Sequence, residues 1–484
     1  MKKWRTLLVL LTVLQILSAV LYLGNTDGFG FPLDDAWIHQ TYARNLGLHG
    51  LMAFSPGVPS TGNTSFGWTL LLAAGYFLKI PFLFWAYLWG CLFSIATALT
   101  AAYLSYSYFE NFKASVIVAI VCVLEWHLAW SAVSGMEISL FTFLSLLFLL
   151  LVHRNSSPYL IGLVAGLAFL VRPEASILIV LYSVKTVIEF RASPVRSLTT
   201  IAIFVAVFLL IISPWALFNL TYSGRPFPST ISSKFMQYGF PFSPAKSLNY
   251  IWNVFLYFWN GPLMLLVPCA GFALYTTFRQ KKTHLYYALS WSLSLILIYA
   301  VALPSLYHHG RYLMPLISLL TIFGVEGLLL LFKKYRLNQN RQTVIWLVVS
   351  GMIIALWVNG AYTFALQVKL LTENHANVAH WVDDHAPEEA VIATHDIGLV
   401  GYITQRQVVD IAGLVTPEVI PFMNDQSKLA DFVQHKNVTY VIVFTGYYED
   451  FLKRLNAQLV YSADRRKLET LGLEPFEVFQ IPNH

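Results

Sequence analysis

Long apolar runs separated by short polar breaks fill the chain up to residue 362, and a different rhythm follows. Eleven runs read as membrane-spanning helices: 7–24, 84–108, 115–133, 138–152, 159–171, 175–190, 198–220, 250–278, 285–303, 313–332 and 344–362. A helix can cross the hydrocarbon core because it satisfies all its backbone polar groups internally. The first run follows Lys2, Lys3 and Arg5, which places the N-terminus in the cytoplasm. A further apolar run, 66–80, is short for a span and reads as a helix lying at the outer interface, capped by Ser65 or Thr64. With that run not crossing, every dense Lys/Arg cluster falls inside, among them Arg191 with Arg196, Arg279 with Lys281 and Lys282, and Lys333 with Lys334. Counting it as a crossing would put the later clusters outside.

After residue 362 the apolar runs shorten to strand length. Residues 390–394, 408–411, 440–444 and 458–462 read as strands, and 427–435 and 448–455 as helices. The chain thus divides into a transmembrane domain, 1–362, and a small α/β domain, 363–484, on the outer side. Composition agrees: 57% of residues are hydrophobic and 12% charged, with a mean hydropathy of +0.60, as in a polytopic α-helical membrane protein. The net charge of +6 sits largely in loop clusters, so it points to topology and not to nucleic acid. Cys91, Cys122 and Cys269 all lie in apolar runs and suggest neither disulfides nor metal spacing. The outer segment has no glycine-rich nucleotide motif.

The polar residues of the outer side carry the candidate chemistry. Asp34 and Asp35 follow a proline where a helix can begin, and Asp35, His39 and Tyr42 then share one helix face. A carboxylate beside an imidazole suits general-base work; helix capping is the plainer alternative. On the same side fall Glu137, Arg172 with Glu174, Arg225, Lys234, His308, His309, Arg311 and Tyr312. Outer arginines run against the usual charge bias, and an anionic ligand such as a phosphate gives them a reason. The alternatives are an internal pair of Arg172 with Glu137 or Glu174, a solvated loop for Arg225 and Lys234, and interfacial packing for the histidines. Glu125 and His127, within an apolar run, read as residues facing the bundle interior.

The run DDAWIHQTYARNLGLHGLMAFSPGVPSTGNTSFGWTLLLA resembles the first outer loop of GT-C membrane glycosyltransferases. The resemblance is to the bacterial group that includes the mycobacterial terminal arabinofuranosyltransferases and mannosyltransferase-like enzymes. Weaker likenesses follow in order: SGMEISLFTFL, GLAFLVRPEA, GRPFPSTISSK, HGRYLMP and, in the tail, VAHWVDDHAPEEAVIATHDIGLVGYITQRQVVDIAGLVTPE. Ser60-Thr61-Gly62-Asn63 departs from the acidic stretch usual there. The resemblance implies a GT-C fold and an inverting transferase in the cytoplasmic (inner) membrane. It implies a polyprenyl-phosphate-linked sugar donor and a glycan, lipid or protein acceptor at the outer face. In such enzymes a first-loop aspartate is catalytic. Asp34 or Asp35 is the expected base, with Asp34 favoured and Asp35 as the orienter or a ligand of sugar hydroxyls. Arg172, Lys234 and Arg311 are the candidates to hold the lipid phosphate, with Tyr312, His39 and Arg225 as further substrate contacts. A divalent metal on Glu137, His308 or His309 is one cofactor this chemistry admits.

A lipid or solute transporter is the main rival. It would favour paired inverted repeats and broken mid-membrane helices, and neither is evident in the sequence. The topology is directly testable by labelling single cysteines in a background lacking Cys91, Cys122 and Cys269. Positions 60 and 420 should react from outside, and 281 and 335 only from inside. Labelling of position 420 from the cytoplasm would overturn the orientation.

Overall fold

The computed structural model describes residues 2–26, 28, 30–239, 242–259, 263–280, 285–470 and 472–482. Lys281 and Lys282, part of one expected cytoplasmic cluster, lie outside them. The protein is a polytopic α-helical membrane protein with a small C-terminal domain built on a five-stranded sheet. By contact density it forms two compact units. One comprises Met1–Asn25, Tyr87–Pro214 and Tyr238–Phe364; the other comprises Thr26–Ala86, Trp215–Gln237 and Ala365–His484.

The expected count of eleven spans is corrected. Among the described residues, five helical stretches are long and apolar enough to cross a membrane: Lys2–Gly24, Phe82–Phe109, Pro194–Ser223, Met314–Lys334 and Gln339–His385. Counting two bent pairs as single spans raises this to seven. In the first pair, Phe112–Leu124 meets Trp126–Val133 at 55°, and Glu125 causes the break. Glu125 is extended (ψ 123°), and its carboxylate accepts the amides of His127 (3.0 Å) and Leu128 (3.1 Å), capping the second helix. The second pair, Pro244–Phe258 and Leu263–Arg279, diverges by 103°, which divides the run 250–278. The remaining expected spans are the helices Ile138–His153, Pro158–Val171, Ser176–Glu189 and Tyr286–Ala302, of 16, 14, 14 and 17 residues. At 1.5 Å per residue these fall short of a ~30 Å core.

The first unit is a helix bundle around Met314–Lys334, which is buried along most of its length. Helices in an apolar medium associate through close contact of small residues and through polar bonds. Gly327 and Gly324 lie directly against Cys269 and Leu266 of Leu263–Arg279, and Gly90 against Ala132. Polar bonds join further helices: Trp357 Nε1 donates to Ser18 Oγ (2.9 Å), and Tyr22 donates to the Trp126 carbonyl (3.3 Å). Glu125 pairs with His127 at 2.7 Å, both buried, as expected for ionisable groups at this depth. The three cysteines are free.

In the second unit, the sheet has the order β2-β1-β3-β5-β4, with β1 Val391–Thr394, β2 Gln407–Asp410, β3 Tyr440–Phe444, β4 Gln458–Ser462 and β5 Phe476–Gln480. β1 runs parallel to β2 and β3, while β5 is antiparallel to β3 and β4. Four of these strands match the sequence reading. β5 was not expected, because Glu477 interrupts its apolar pattern; the carboxylate is buried and held by Arg465 (2.6 Å) and Ser462 (3.0 Å). The expected helices appear as Gln426–His435 and Glu449–Arg454.

The first outer loop belongs to this unit. Helix Asp34–His49 ends at Gly50, whose φ of +68° suits glycine, and Asn45 turns the chain back by donating to the carbonyls of Ala53 and Phe54. The short helix Phe66–Phe77 packs on it, with Gly47 against Ala73 and Tyr76. Ser65 is its N-cap residue, with no side-chain capping bond.

The glycine contacts generate a stability prediction. Gly327→Ala would drive a methyl into the Cys269 carbonyl and should cost about 1–3 kcal/mol. Gly271→Ala, with open space around it, should change the melting temperature little. Equal melting temperatures for the two variants would refute this packing.

Candidate active site

The acid pair opens helix Asp34–His49, with Leu33 as the extended N-cap residue, so both carboxylates sit in the first turn. Asp34 therefore does not cap its own helix. Its carboxylate instead reaches the C-terminal domain: Oδ2 accepts the Gly398 amide at 2.6 Å and Oδ1 the Leu399 amide at 2.8 Å. Asp396 stands nearby. Its Oδ2 lies 3.0 Å from His375 Nε2 and 3.9 Å from His395 Nε2. The His375 ring stacks on Phe476 at 4.5 Å, and His395 packs against Phe444 and Tyr448, each at 5.2 Å.

This cluster shifts its members' proton affinities. Burial, then the neighbouring Asp396 charge, pushes Asp34 up to about 7, against the pull of His375 and the two amides. Burial opposes a charge on His375, but the hydrogen bond and charge of Asp396 and the charge of Asp34 outweigh it and raise its pKa. Burial likewise opposes a charged Asp396, yet His395 and His375 hold it below the ordinary range. Burial lowers His395.

Two further chain segments join this unit. Ser229 Oγ donates to the Leu414 carbonyl (2.8 Å), Thr230 Oγ1 to the Gly62 carbonyl (2.5 Å), and Ser233 Oγ to the Ala412 carbonyl (2.6 Å). The 410–416 turn they grip is shaped by Asp410, whose carboxylate accepts the Ala412 and Val415 amides at 2.8 Å each. Burial pushes Asp410 up to about 7. Lys234 thus ends the short helix Ser229–Lys234, which is anchored to both the first loop and the outer domain. Arg225 is exposed and reaches Ser232 at 3.4 Å. His39 is buried, and Tyr42 bonds Ser60 at 2.7 Å on the same helix.

The remaining candidates lie in the helix-bundle unit. Arg172 is 7% exposed and pairs with Glu137 at 2.6 Å and, more loosely, with Glu174 at 3.8 Å. Tyr299 donates to Glu174. Arg172 and Arg311 both lie over the Tyr312 ring, at 4.9 and 5.1 Å, and Tyr299 stacks on that ring at 4.8 Å. Arg311 is 2% exposed and donates to the Tyr312 hydroxyl (3.1 Å). Two guanidinium groups thus share one aromatic face system beside two glutamates. His308, His309 and Gly310 all have positive φ, and His309 meets Trp126 and Trp130 edge-on. Among the described residues, no group of three potential metal ligands stands together.

The sequence reading missed His375, His395, Asp396 and Asp410. A signal existed: parallel β1 and β2 end at the same side of the sheet, and polar residues follow or close each strand there. Carboxyl ends of parallel strands commonly carry function.

Comparison with known proteins gives the fold. The chain aligns with ArnT from Cupriavidus metallidurans, bound to undecaprenyl phosphate, with a TM-score of 0.62 and 16% identity over 98% of both chains. It aligns with the Archaeoglobus fulgidus oligosaccharyltransferase with a TM-score of 0.59 and 12% identity, over 91% of this chain and 69% of that one. Against the mycobacterial arabinofuranosyltransferase AftD the TM-score is 0.50 at 15% identity, over 98% of this chain and 41% of that one. The chain therefore shares the fold of these membrane enzymes. Residues 364–479 match a family described as a domain of unknown function, DUF8728. No curated protein matches the chain.

The buried ion pair yields a prediction. Arg172→Ala would leave Glu137 charged and uncompensated, costing about 3–5 kcal/mol in thermal unfolding. Replacing both residues with methionine should cost much less. A double variant as unstable as the single one would contradict the pairing.

Proposed function

We propose that the protein is an inverting glycosyltransferase that moves a sugar from a polyprenyl-phosphate donor to an acceptor hydroxyl at the outer face of the cytoplasmic membrane. The observation that carries this reading is the acid pair of the first loop, fixed at a helix start on a GT-C fold. The acceptor oxygen attacks the anomeric carbon as the carbon–oxygen bond to the lipid phosphate breaks. A carboxylate takes the acceptor's proton, and the phosphate leaves with the bonding pair.

The bonds of Asp34 favour a division of roles opposite to the one drawn from the sequence. Both Asp34 oxygens are engaged by backbone amides, so Asp34 is the anchor and Asp35 the base. Lys234 and Arg311 stabilise charge on the departing phosphate. Arg172, engaged by Glu137, contributes by holding the Tyr299–Tyr312 stack beside Arg311. Tyr312, His39 and Arg225 are further candidate substrate contacts. A divalent cation would draw on Glu137, His308 or His309, and the carboxylate would first have to leave Arg172. The acceptor is a glycan, lipid or protein. In this reading the C-terminal domain lies on the outer side, opposite a cytoplasmic N-terminus.

The test uses the full chain in nanodiscs with undecaprenyl-phosphate-linked hexoses and pentoses carrying radiolabel. Asp35→Asn should lower kcat by about 10²-fold or more while undecaprenyl phosphate still binds. Lys234→Ala and Arg311→Ala should raise the donor KM more than the acceptor KM. Wild-type transfer by a stably folded Asp35→Asn protein would sink the assignment.

A further inference from the structure

Asp34 lies in the first loop and its partners lie more than 360 positions later, so the bonds among them join the two most distant parts of this unit. Gly398 has no room for a side chain, since a Cβ there would run into the Asp34 carbonyl oxygen and carboxylate. The helix that follows, Gly398–Thr404, continues the contact: Tyr402 accepts Arg44 at its carbonyl (2.7 Å) and meets the Tyr76 hydroxyl (3.1 Å). The segment before it is held as firmly. Asn374 donates to the Glu474 carbonyl (3.2 Å) and accepts the Phe476 amide (2.7 Å), which sets the adjacent His375 on the Phe476 ring, facing Asp396.

We propose that the domain of unknown function at 364–479 positions the catalytic carboxylate pair, with His375, Asp396 and Gly398 as the positioning residues and Asp34 as the side chain they hold. This rests on the glycosyltransferase reading for its catalytic consequence, but not for the latch itself. Gly398 and Leu399 fix the Asp34 carboxylate, which fixes the first helical turn and hence the direction of Asp35. His375, bonded to Asp396 at 3.0 Å, sits between that carboxylate and the Phe476 ring.

The groups facing this junction are Asp34 and Asp35 on the first-loop helix, His375 on the 372–376 turn, His395 and Asp396 after β1, and Tyr448 after β3. The pH dependence has a definite sign. Asp34 is raised from its ordinary value to about 7, so its contribution to the folded junction is full below about pH 4 and is lost as pH rises through about 7. His375, also raised, acts in the same direction and loses its contribution as pH rises through its elevated value. Asp396, lowered, contributes above its ordinary value and fails only in acid. Between pH 5 and 8 the junction therefore loosens as pH increases.

The full chain in nanodiscs is followed by hydrogen exchange of the 396–404 and 34–40 peptides from pH 5 to 8.5, corrected for intrinsic rate, and by kcat for sugar transfer. Protection should fall with a midpoint near pH 7. Asp396→Asn removes the charge that raises Asp34 and should move the midpoint down; His375→Gln removes one that lowers it and should move the midpoint up. Gly398→Ala should lower kcat by about 10²-fold with undecaprenyl-phosphate affinity unchanged. If that variant fails to fold, His375→Gln carries the same kcat test, with a loss of about tenfold. Midpoints that move together or not at all, or folded variants with wild-type kcat, overturn the proposal. Opposite midpoint shifts in a protein that transfers no sugar would sustain the latch and remove the enzymatic reading.

Discussion

A single carboxylate accepting two backbone amides ties the first loop to the C-terminal domain within the second unit of this protein. Asp34 belongs to a loop between apolar helices, and Gly398 and Leu399 belong to the C-terminal domain. A charged group taken out of water is costly unless its oxygens are fully bonded. Here burial and a second carboxylate raise the proton affinity of Asp34, while two amides and the neighbouring His375 oppose that rise. Breaking any one of these leaves a charge that its surroundings no longer compensate. The sheet, the first loop and the 215–237 segment form one compact unit.

The same economy governs the helix bundle. Glu125 ends one helix and caps the next, so a carboxylate in an apolar run acts as a structural joint. Arg172 is neutralised by Glu137 and lies over Tyr312 beside Arg311. Ionisable groups in this unit are thus arranged in pairs or over aromatic rings. That is how an apolar medium tolerates charge.

Much of this was legible in the sequence because the signals are local. Apolar run length marks the membrane helices, alternation marks four of the five strands, and adjacent aspartates after a proline mark the first-loop helix. The span count was not legible. Glu125 bends what reads as one run, the run 250–278 is two helices, and several runs become helices of only 14–17 residues. β5 was hidden by Glu477, whose burial depends on Arg465 and Ser462. His375 and Asp396 gain meaning only from Asp34, hundreds of residues away, and no local spacing encodes that contact. The sequence offered Glu137 and Glu174 as partners of Arg172, and the fold brings both to it, Glu137 at 2.6 Å and Glu174 at 3.8 Å.

The central claim is that a single carboxylate activates an acceptor hydroxyl for direct displacement of a lipid phosphate. The anomeric configuration of the transferred sugar tests it most directly, read by NMR on the product of one turnover with a donor of known configuration. Direct displacement predicts inversion at the anomeric carbon. Retention would require a covalent or two-step route that this account does not contain, and would contradict it.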